Sequence, residues 1–369
     1  MKLTCQAEQI HAAFQIVGSV VQSRPTRPIL GNVLLTASED GLEIQATDLE
    51  IGICYRLPEV NVSETGQIAV AYARLHSLVG YYAKGEETIE LSLEGSNCLL
   101  KTSDGQFRLP TSPAEEFPVL PDFDEGSARV IEAANFKEMV RRTTFAAHRE
   151  RHRYALNGAL LSMKGKAVRM VATDGRRLAL VEKKTQAEQE GELEVIVPTK
   201  ALDEIVKVAE EEEELSLCLA GEEGGQLVAK TSRAVITTRL VEGHFPPYES
   251  VIPKEQDKKA EIEPARLLAV VQRAAVMTTD EYSSVSLRIA EGQIEVTAEA
   301  PDAGSADVKV PVTYKGEEAE IAFNPYFLIE FLRVAEADQV RMEFTDGTSP
   351  VLFRCGKDFL YVVMPVSRQ

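Results

Sequence analysis

Apolar positions along this chain alternate between two spacings, and the alternation occurs three times. Ile10, Phe14, Val17 and Val21 stand at i, i+4, i+7 and i+11. Phe136, Met139, Val140, Thr143 and Ala147 make a similar stripe, and so do Leu267, Leu268, Val271, Ala274 and Ala275. Each set predicts an amphipathic helix. β-rich runs follow each one. Val33 to Thr36 leads through Asp40-Gly41, a hairpin signal, into Leu42 to Thr47. Leu160 to Met163 leads through Lys164-Gly165-Lys166 into Ala167 to Ala172, and Ser286 to Ile289 leads through Glu291-Gly292 into Gln293 to Thr297. A second, shorter helix is predicted over Arg74 to Ala83, Lys200 to Glu210 and Pro325 to Val334, with more strands after it. Each third therefore reads as α+β, two helices packed on antiparallel sheet.

The three copies share residues as well as pattern. Ile44-Gln45-Ala46-Thr47-Asp48 recurs as Met170-Val171-Ala172-Thr173-Asp174 and fades to Ile294-Glu295-Val296-Thr297-Ala298, so the threonines are 126 and 124 residues apart. Ile131-Glu132-Ala133-Ala134 returns as Ile262-Glu263-Pro264-Ala265, and Lys101-Thr102-Ser103 as Lys230-Thr231-Ser232. Ala69 to Leu75 aligns with Ile196 to Leu202 and Ala322 to Leu328. A repeat this long makes each copy a domain with its own core rather than a turn of a solenoid. The Pro-rich stretches Phe117 to Pro121 and Phe245 to Pro253 separate the copies, which places the domains at 1–126, 127–255 and 256–369.

Charge complicates the picture. The chain carries a formal net charge of −18, which on average opposes nucleic acid, since phosphate binding needs clustered Lys and Arg. The acid is segregated, however, into blocks such as Glu210 to Glu214 and Glu188 to Glu194. Between Lys137 and Arg153, six basic residues stand against two acidic ones, and on a helical wheel Lys137, Arg141, Arg142 and Arg149 fall opposite the apolar stripe. Phe145 falls on that polar side too, against the pattern. One basic surface on an acidic protein can hold DNA while the remaining faces repel it.

Candidate chemistry is sparse. His148 and His152 are spaced i, i+4, but the string is His-Arg-Glu-Arg-His, with Glu150 at the wrong offset and arginines to oppose a cation. Phosphate-loop, nucleophile-elbow and dinucleotide fingerprints are absent from the sequence, and Asp48, Asp174 and Asp346 sit where turns are expected. No catalytic residue, metal site or cofactor is expected. The five cysteines are scattered without a C-x-x-C pair, which suggests reduced thiols. Met1 to Gln6 has no apolar signal region, and no apolar run approaches the ~20 residues that would cross a bilayer. A cytoplasmic location is therefore expected. The C-terminal Leu360 to Val366 is apolar almost to the end and is closed by Pro365, a pattern for an edge strand or one wall of an apolar groove.

Particular strings carry a family resemblance. Arg24-Pro25-Thr26, Pro28 to Asn32, Ala46 to Glu50, Leu156-Asn157-Gly158, Ala172 to Gly175, Arg177-Leu178, Phe245-Pro246, Tyr248 and Tyr361 to Pro365 occur in one order along the whole chain. In this they resemble the bacterial DNA polymerase III β subunit family, the sliding clamps. The resemblance implies three tandem clamp domains per chain and a head-to-tail homodimeric ring. Helices would line the channel and antiparallel sheets would lie outside. The ring would encircle double-stranded DNA without reading its sequence. It would tether the replicative polymerase's catalytic subunit, the clamp loader, and repair and translesion polymerases. By motif position Arg24, Arg153, Tyr154 and Lys200 would contact DNA, and the wheel adds Arg141, Arg142 and Arg149. A groove for partner peptides would be walled by Leu156, Thr173, Gly175, Arg177, Leu178, Pro246, Val251, Val362, Val363, Met364 and Pro365. The ring seam would set Phe107 and Leu109 of one chain against Val276 and Met277 of the other. Arg176, where His is common, Ser250, and the ending Val366-Ser367-Arg368-Gln369 depart from the family pattern beside the groove. Two other readings compete: an acidic protein-interaction scaffold that kept the fold without DNA loading, and a metal-dependent hydrolase using His148, His152 and Asp174.

Overall fold

The computed structural model describes residues 1–85, 87–148 and 156–366. Its α-helices among these residues are α1 (Ala7–Val17), α2 (Tyr72–Tyr82), α3 (Ala133–Thr143), α4 (Thr199–Val208), α5 (Pro264–Ala275) and α6 (Pro325–Val334). They coincide with the predicted stripes to within a few residues. In α1, Ile10, Phe14 and Val17 are buried with Ala7 and Ala13, each large side chain contributing about 1.5–3 kcal/mol relative to exposure. Val21 lies beyond, because the chain tightens into a 3-10 turn at Gly18–Val20. Asn324 caps α6 by accepting from the Tyr326 amide at 2.9 Å, and Pro325 supplies the preset first helical residue.

The backbone forms two compact units, Met1–Ala134 with Lys200–Leu240, and Asn135–Thr199 with Val241–Gln369. Neither unit coincides with a third of the chain, and the strand pairing explains why. In the first unit a thirteen-stranded antiparallel sheet joins Ile51–Leu57 to Ala234–Arg239, with Ile51 opposite Thr238 and Tyr55 opposite Ala234. Strands of the first and second repeats thus share one ladder. The second unit repeats the device in its six-stranded sheet, where Arg177–Pro198 pairs with Phe359–Val363. It also holds a four-stranded sheet whose outermost strands are Gly304–Pro311 and Ala319–Phe323.

Two hairpin signals became hairpins, at Asp40-Gly41 and at Glu291-Gly292. The third did not. Gly158–Thr173 is a single strand, and its register against Arg177–Pro198 shifts on both sides of Gly165. Gly165 adopts φ +56, so the chain bends there without leaving the sheet.

The core of the second unit centres on Tyr361. Its ring stacks on Phe331 at 4.7 Å and its hydroxyl donates to the Phe327 carbonyl at 2.9 Å. Phe353 and Phe359 pack against the same Phe331. All five cysteines are free, and burial pushes the Cys5 and Cys98 thiols up to about 12, which leaves them without nucleophilic thiolate. No helix among the described residues is long and apolar enough to cross a membrane.

Candidate functional site

In the second unit, the first strand residues after a tight turn lie beside the last strand of the chain. Leu178 pairs with Val362 and Leu180 with Leu360. Because side chains alternate across a sheet, these four share one face. They form an apolar cluster there with Leu160, Val171, Ile196, Tyr248 and Leu352. Val241, Phe245 and Ile252 pack against its edge. Val251 (50% exposed) and Met364 (41%) stand out of this surface into solvent, with Gly175 and Pro246 also exposed and Leu156 and Pro365 half-buried. The result is an apolar floor with a mobile-chained thioether on its lip, a surface suited to a hydrophobic anchor.

Two of the predicted groove residues, Val363 and Arg177, are not on this face, and a third, Thr173, lies on it opposite Leu178 but is taken up by the turn. Val363 is fully buried and alternates to the other side of the sheet. Thr173 is buried, and its hydroxyl donates to the Arg177 carbonyl at 2.6 Å while accepting from the Gly175 amide at 3.1 Å, so it shapes the turn. Arg177 is 6% exposed and opposite Val363. Its Nε donates to Asp174 at 3.0 Å and its Nη2 to the Phe145 carbonyl at 2.7 Å, and it pairs with Glu330. The guanidinium lies 4.4 Å from the Phe327 ring centre and 5.6 Å from that of Phe145. This also accounts for Phe145, which lies beyond α3 in the 3-10 turn Thr144–Ala146, where the helical wheel no longer applies. Leu160, Val171, Leu180, Ile196, Tyr248, Leu352 and Leu360 were missed. The signal for Leu180 and Leu360 was present, since each lies two residues along a strand from a residue already chosen.

The turn that frames the groove exists twice. Asp174 accepts from the Arg176 amide at 2.9 Å and the Arg177 amide at 3.0 Å. In the first unit Asp48 accepts from Glu50 at 3.0 Å and Ile51 at 2.7 Å, and Thr47 repeats both bonds of Thr173. Gly175 adopts φ +86 and Leu49 adopts φ +74, a conformation easy for glycine and costly for leucine. The next backbone bond is duplicated too, from the Met364 amide to the Arg176 carbonyl and from the Arg239 amide to the Glu50 carbonyl, each 2.9 Å. The lining differs. Gly52 stands where the second copy has Leu178, and Thr237 where it has Val362. A Cβ on Gly52 would lie 2.4 Å from a Leu120 methyl, so the linker's own leucine covers that floor. The frame is common to both copies, while the open apolar surface belongs to the second.

The predicted DNA contacts divide. Arg24 is exposed just after α1, with no side-chain hydrogen bond or ion pair among the described residues. Lys200 is half-exposed, but its ammonium is 2.8 Å from the Asp48 carboxylate. Both terminal guanidinium nitrogens of Arg141 donate to Glu336, Nη2 at 2.6 Å, and this pairing holds the Glu336 carboxyl below its usual range. Arg142 is corrected outright. It is 7% exposed, paired with Glu138 at 2.5 Å and Asp358 at 3.9 Å, and its guanidinium sits 5.5 Å from the centre of the Phe359 ring. The wheel places it opposite the apolar stripe, but residues near the C-terminus pack on that side and enclose it. A buried, internally neutralised arginine has no charge to offer a phosphate. Arg149, Arg153 and Tyr154 lie outside the described residues, as does His152.

At the expected seam, Phe107 is half-buried, with its ring 6.4 Å from that of Tyr82, and Leu109 is buried. Val276 is 70% exposed and Met277 half-buried. Among the described residues no three His, Cys, Asp or Glu side chains gather as metal ligands. A cleft of about 630 Å³ lies in the second unit between Tyr282, Thr297, Glu299 and Asp307, away from the apolar floor.

Comparison with known proteins agrees along the full length. Family profiles described as DNA polymerase III beta subunit, N-terminal, central and C-terminal domains match residues 1–121, 130–247 and 249–367 in that order. The beta sliding clamp of Pseudomonas putida is 32% identical over 368 residues, covering 99% of this chain and 100% of that protein. The beta sliding clamp of Escherichia coli K12 is also 32% identical, with the same coverage. Among solved structures, the DNA polymerase III subunit beta of Pseudomonas aeruginosa superposes with a TM-score of 0.92 at 31% identity, covering 100% of both chains. The sliding clamp of Bacillus subtilis superposes at 0.94 with 25% identity and the same coverage.

Proposed function

Because the chain belongs to the DNA polymerase III beta subunit family, the bacterial sliding clamps, we propose that two copies join head to tail into a closed ring around duplex DNA. Its role is that of a processivity clamp in DNA replication. The observation that carries this is the succession of three clamp domains matched end to end by full-length relatives. The ring holds DNA by topology and catalyses nothing itself. Encirclement removes the need for strong phosphate contacts, which fits a chain of charge −18 whose Arg141 and Lys200 are already ion-paired. Phosphate contacts that carry no base information leave the ring free to slide. Arg24, with Arg149, Arg153 and Tyr154, supplies light contacts of this kind, and Arg142 does not take part. The ring works at the nucleoid, and its polymerase, loader and repair partners dock on the apolar floor at Leu178 and Val362.

The same ion pairs are the best support for the other reading, an acidic scaffold without DNA. One experiment decides between them. After loading by a cognate loader with ATP, the protein should stay on circular DNA at high salt and fall off once the circle is cut. Equal loss from circles and cut DNA would mean that binding, if any, is electrostatic, and would leave the scaffold.

For the groove, Met364→Ala is expected to weaken binding of an apolar partner peptide by about tenfold, as for loss of one anchoring contact. The melting temperature should change little, because about two-fifths of the residue is already exposed to solvent. Undiminished peptide affinity, measured by fluorescence anisotropy, would remove Met364 from the site.

A further inference from the structure

The duplicated turn provides an internal reference for the groove. The cross-strand row nearest the turn is Glu50 with Arg239 in the first unit and Arg176 with Met364 in the second, set by the same backbone bond in each. Both rows lie on the face carrying Gly52 and Thr237, or Leu178 and Val362, since each is two residues along. In the first unit opposite charges face each other across the strands. In the second the cation remains and its opposite has become a thioether.

The carboxylates of the turn itself and of the neighbouring Arg177 network are already engaged. Asp174 accepts from the amides of Arg176 and Arg177 and from the Arg177 guanidinium. Glu330 pairs with Arg177. Arg176 itself is exposed, and its guanidinium has no hydrogen bond or ion pair among the described residues. Of two adjacent arginines, one is neutralised inside the protein and the other stands unpaired on the lip of an apolar floor.

We propose that Arg176 is a specificity-determining residue which reads an Asp or Glu of the docking peptide, placed beside the apolar anchor that covers Leu178, Val362 and Met364. This rests on the groove reading given above. A solvent-exposed pair of this kind changes affinity by about two- to fivefold and is screened by salt. It therefore selects among peptides that share the same anchors without being required for binding.

The test uses the full-length protein and fluorescein-labelled synthetic peptides with constant Leu and Phe anchors, carrying Asp or Asn at each flanking position in turn. Anisotropy at ~50 mM salt should show one position where Asp binds about two- to fivefold better than Asn, with the ratio shrinking at ~500 mM. In Arg176→Gln the ratio should fall to one, and in Arg176→Glu it should invert, with melting curves confirming an intact fold. An Asp preference that survives in Arg176→Gln, or no preference at any position while the peptides still bind, overturns the assignment and leaves the groove standing. Peptides that bind neither the wild type nor Arg176→Gln would overturn the groove reading and this inference with it.

Discussion

Replacing Arg177 with alanine is expected to cost about 3–5 kcal/mol of stability, the usual penalty for removing one partner of a buried ion pair. The reason lies in what the side chain leaves behind. Asp174 and Glu330, both largely enclosed, lose their counter-charge, and the Phe145 carbonyl loses a donor. The rings of Phe327 and Phe145 lose the cation that lies over them. Both carboxylates retain some contact with water, so the lower end of the range is the better expectation. Burial pulls the Arg177 guanidinium down, but Tyr361, Glu330 and Asp174 outweigh it and hold its pKa above the ordinary arginine value. A pKa raised by folding stabilises the fold below the unfolded-state value, so this contribution persists across the whole physiological pH range and is lost only in strong alkali. Urea and thermal melts of the variant provide the measurement. Arg177→Ala with Glu330→Leu should recover part of the loss by removing one stranded charge. A loss under ~1 kcal/mol in the single variant would show the network to be an exposed pair of little consequence.

Arg177 also marks where the sequence stops being legible. Helical stripes and turn aspartates depend on near neighbours in the chain, and the triple repeat is read by laying the sequence against itself, so all three are legible without the fold. Asp48 and Asp174 bind their own backbone as turn residues should, and Asp346 does so strongly enough that the amides of Thr348 and Ser349 bring its carboxyl down to about 2. Burial of Arg142 depends on Asp358 and Phe359, more than two hundred residues further along, and no wheel drawn on α3 can include them. Splitting the groove residues by face required the pairing of Arg177 with Val363, after which a period of two removes both from the groove. Domain boundaries drawn at Pro-rich linkers describe the repeat, whereas the compact units follow ladders such as Ile51–Leu57 with Ala234–Arg239. The open floor at Leu178 could be separated from its covered counterpart at Gly52 only once Leu120 was seen in place.

The seam is the other place where small substitutions should have a large effect. Phe107→Ala combined with Met277→Ala is expected to convert the proposed dimer into monomers on a sizing column. Two open sheet edges motivate this. Along Gln106–Ser112, residues Gln106 to Pro110 pair with Asn97–Lys101, and only Thr111 and Ser112 pair on the other side. Gly304–Pro311 is the last strand of the four-stranded sheet. Unpaired edges of this kind are normally protected, and a head-to-tail ring would pair each with the other in the neighbouring copy. Charge favours that choice of partner, since Arg108 is exposed on the first strand while Glu299, Asp302 and Asp307 are exposed around the second. Apolar side chains at the same places, Phe107 on one strand and Val276 and Met277 just after α5, would supply the anchoring contact. Truncating two such anchors should cost about 4 kcal/mol together, roughly a thousandfold in dimer affinity. Loss of the ring should abolish retention on circular DNA, while the peptide groove, assembled within the second unit alone, should bind its ligand as before. An unchanged dimer at micromolar concentration would place the seam elsewhere on the molecule. Monomers that still remain on closed circles at high salt would refute the topological account of DNA binding itself.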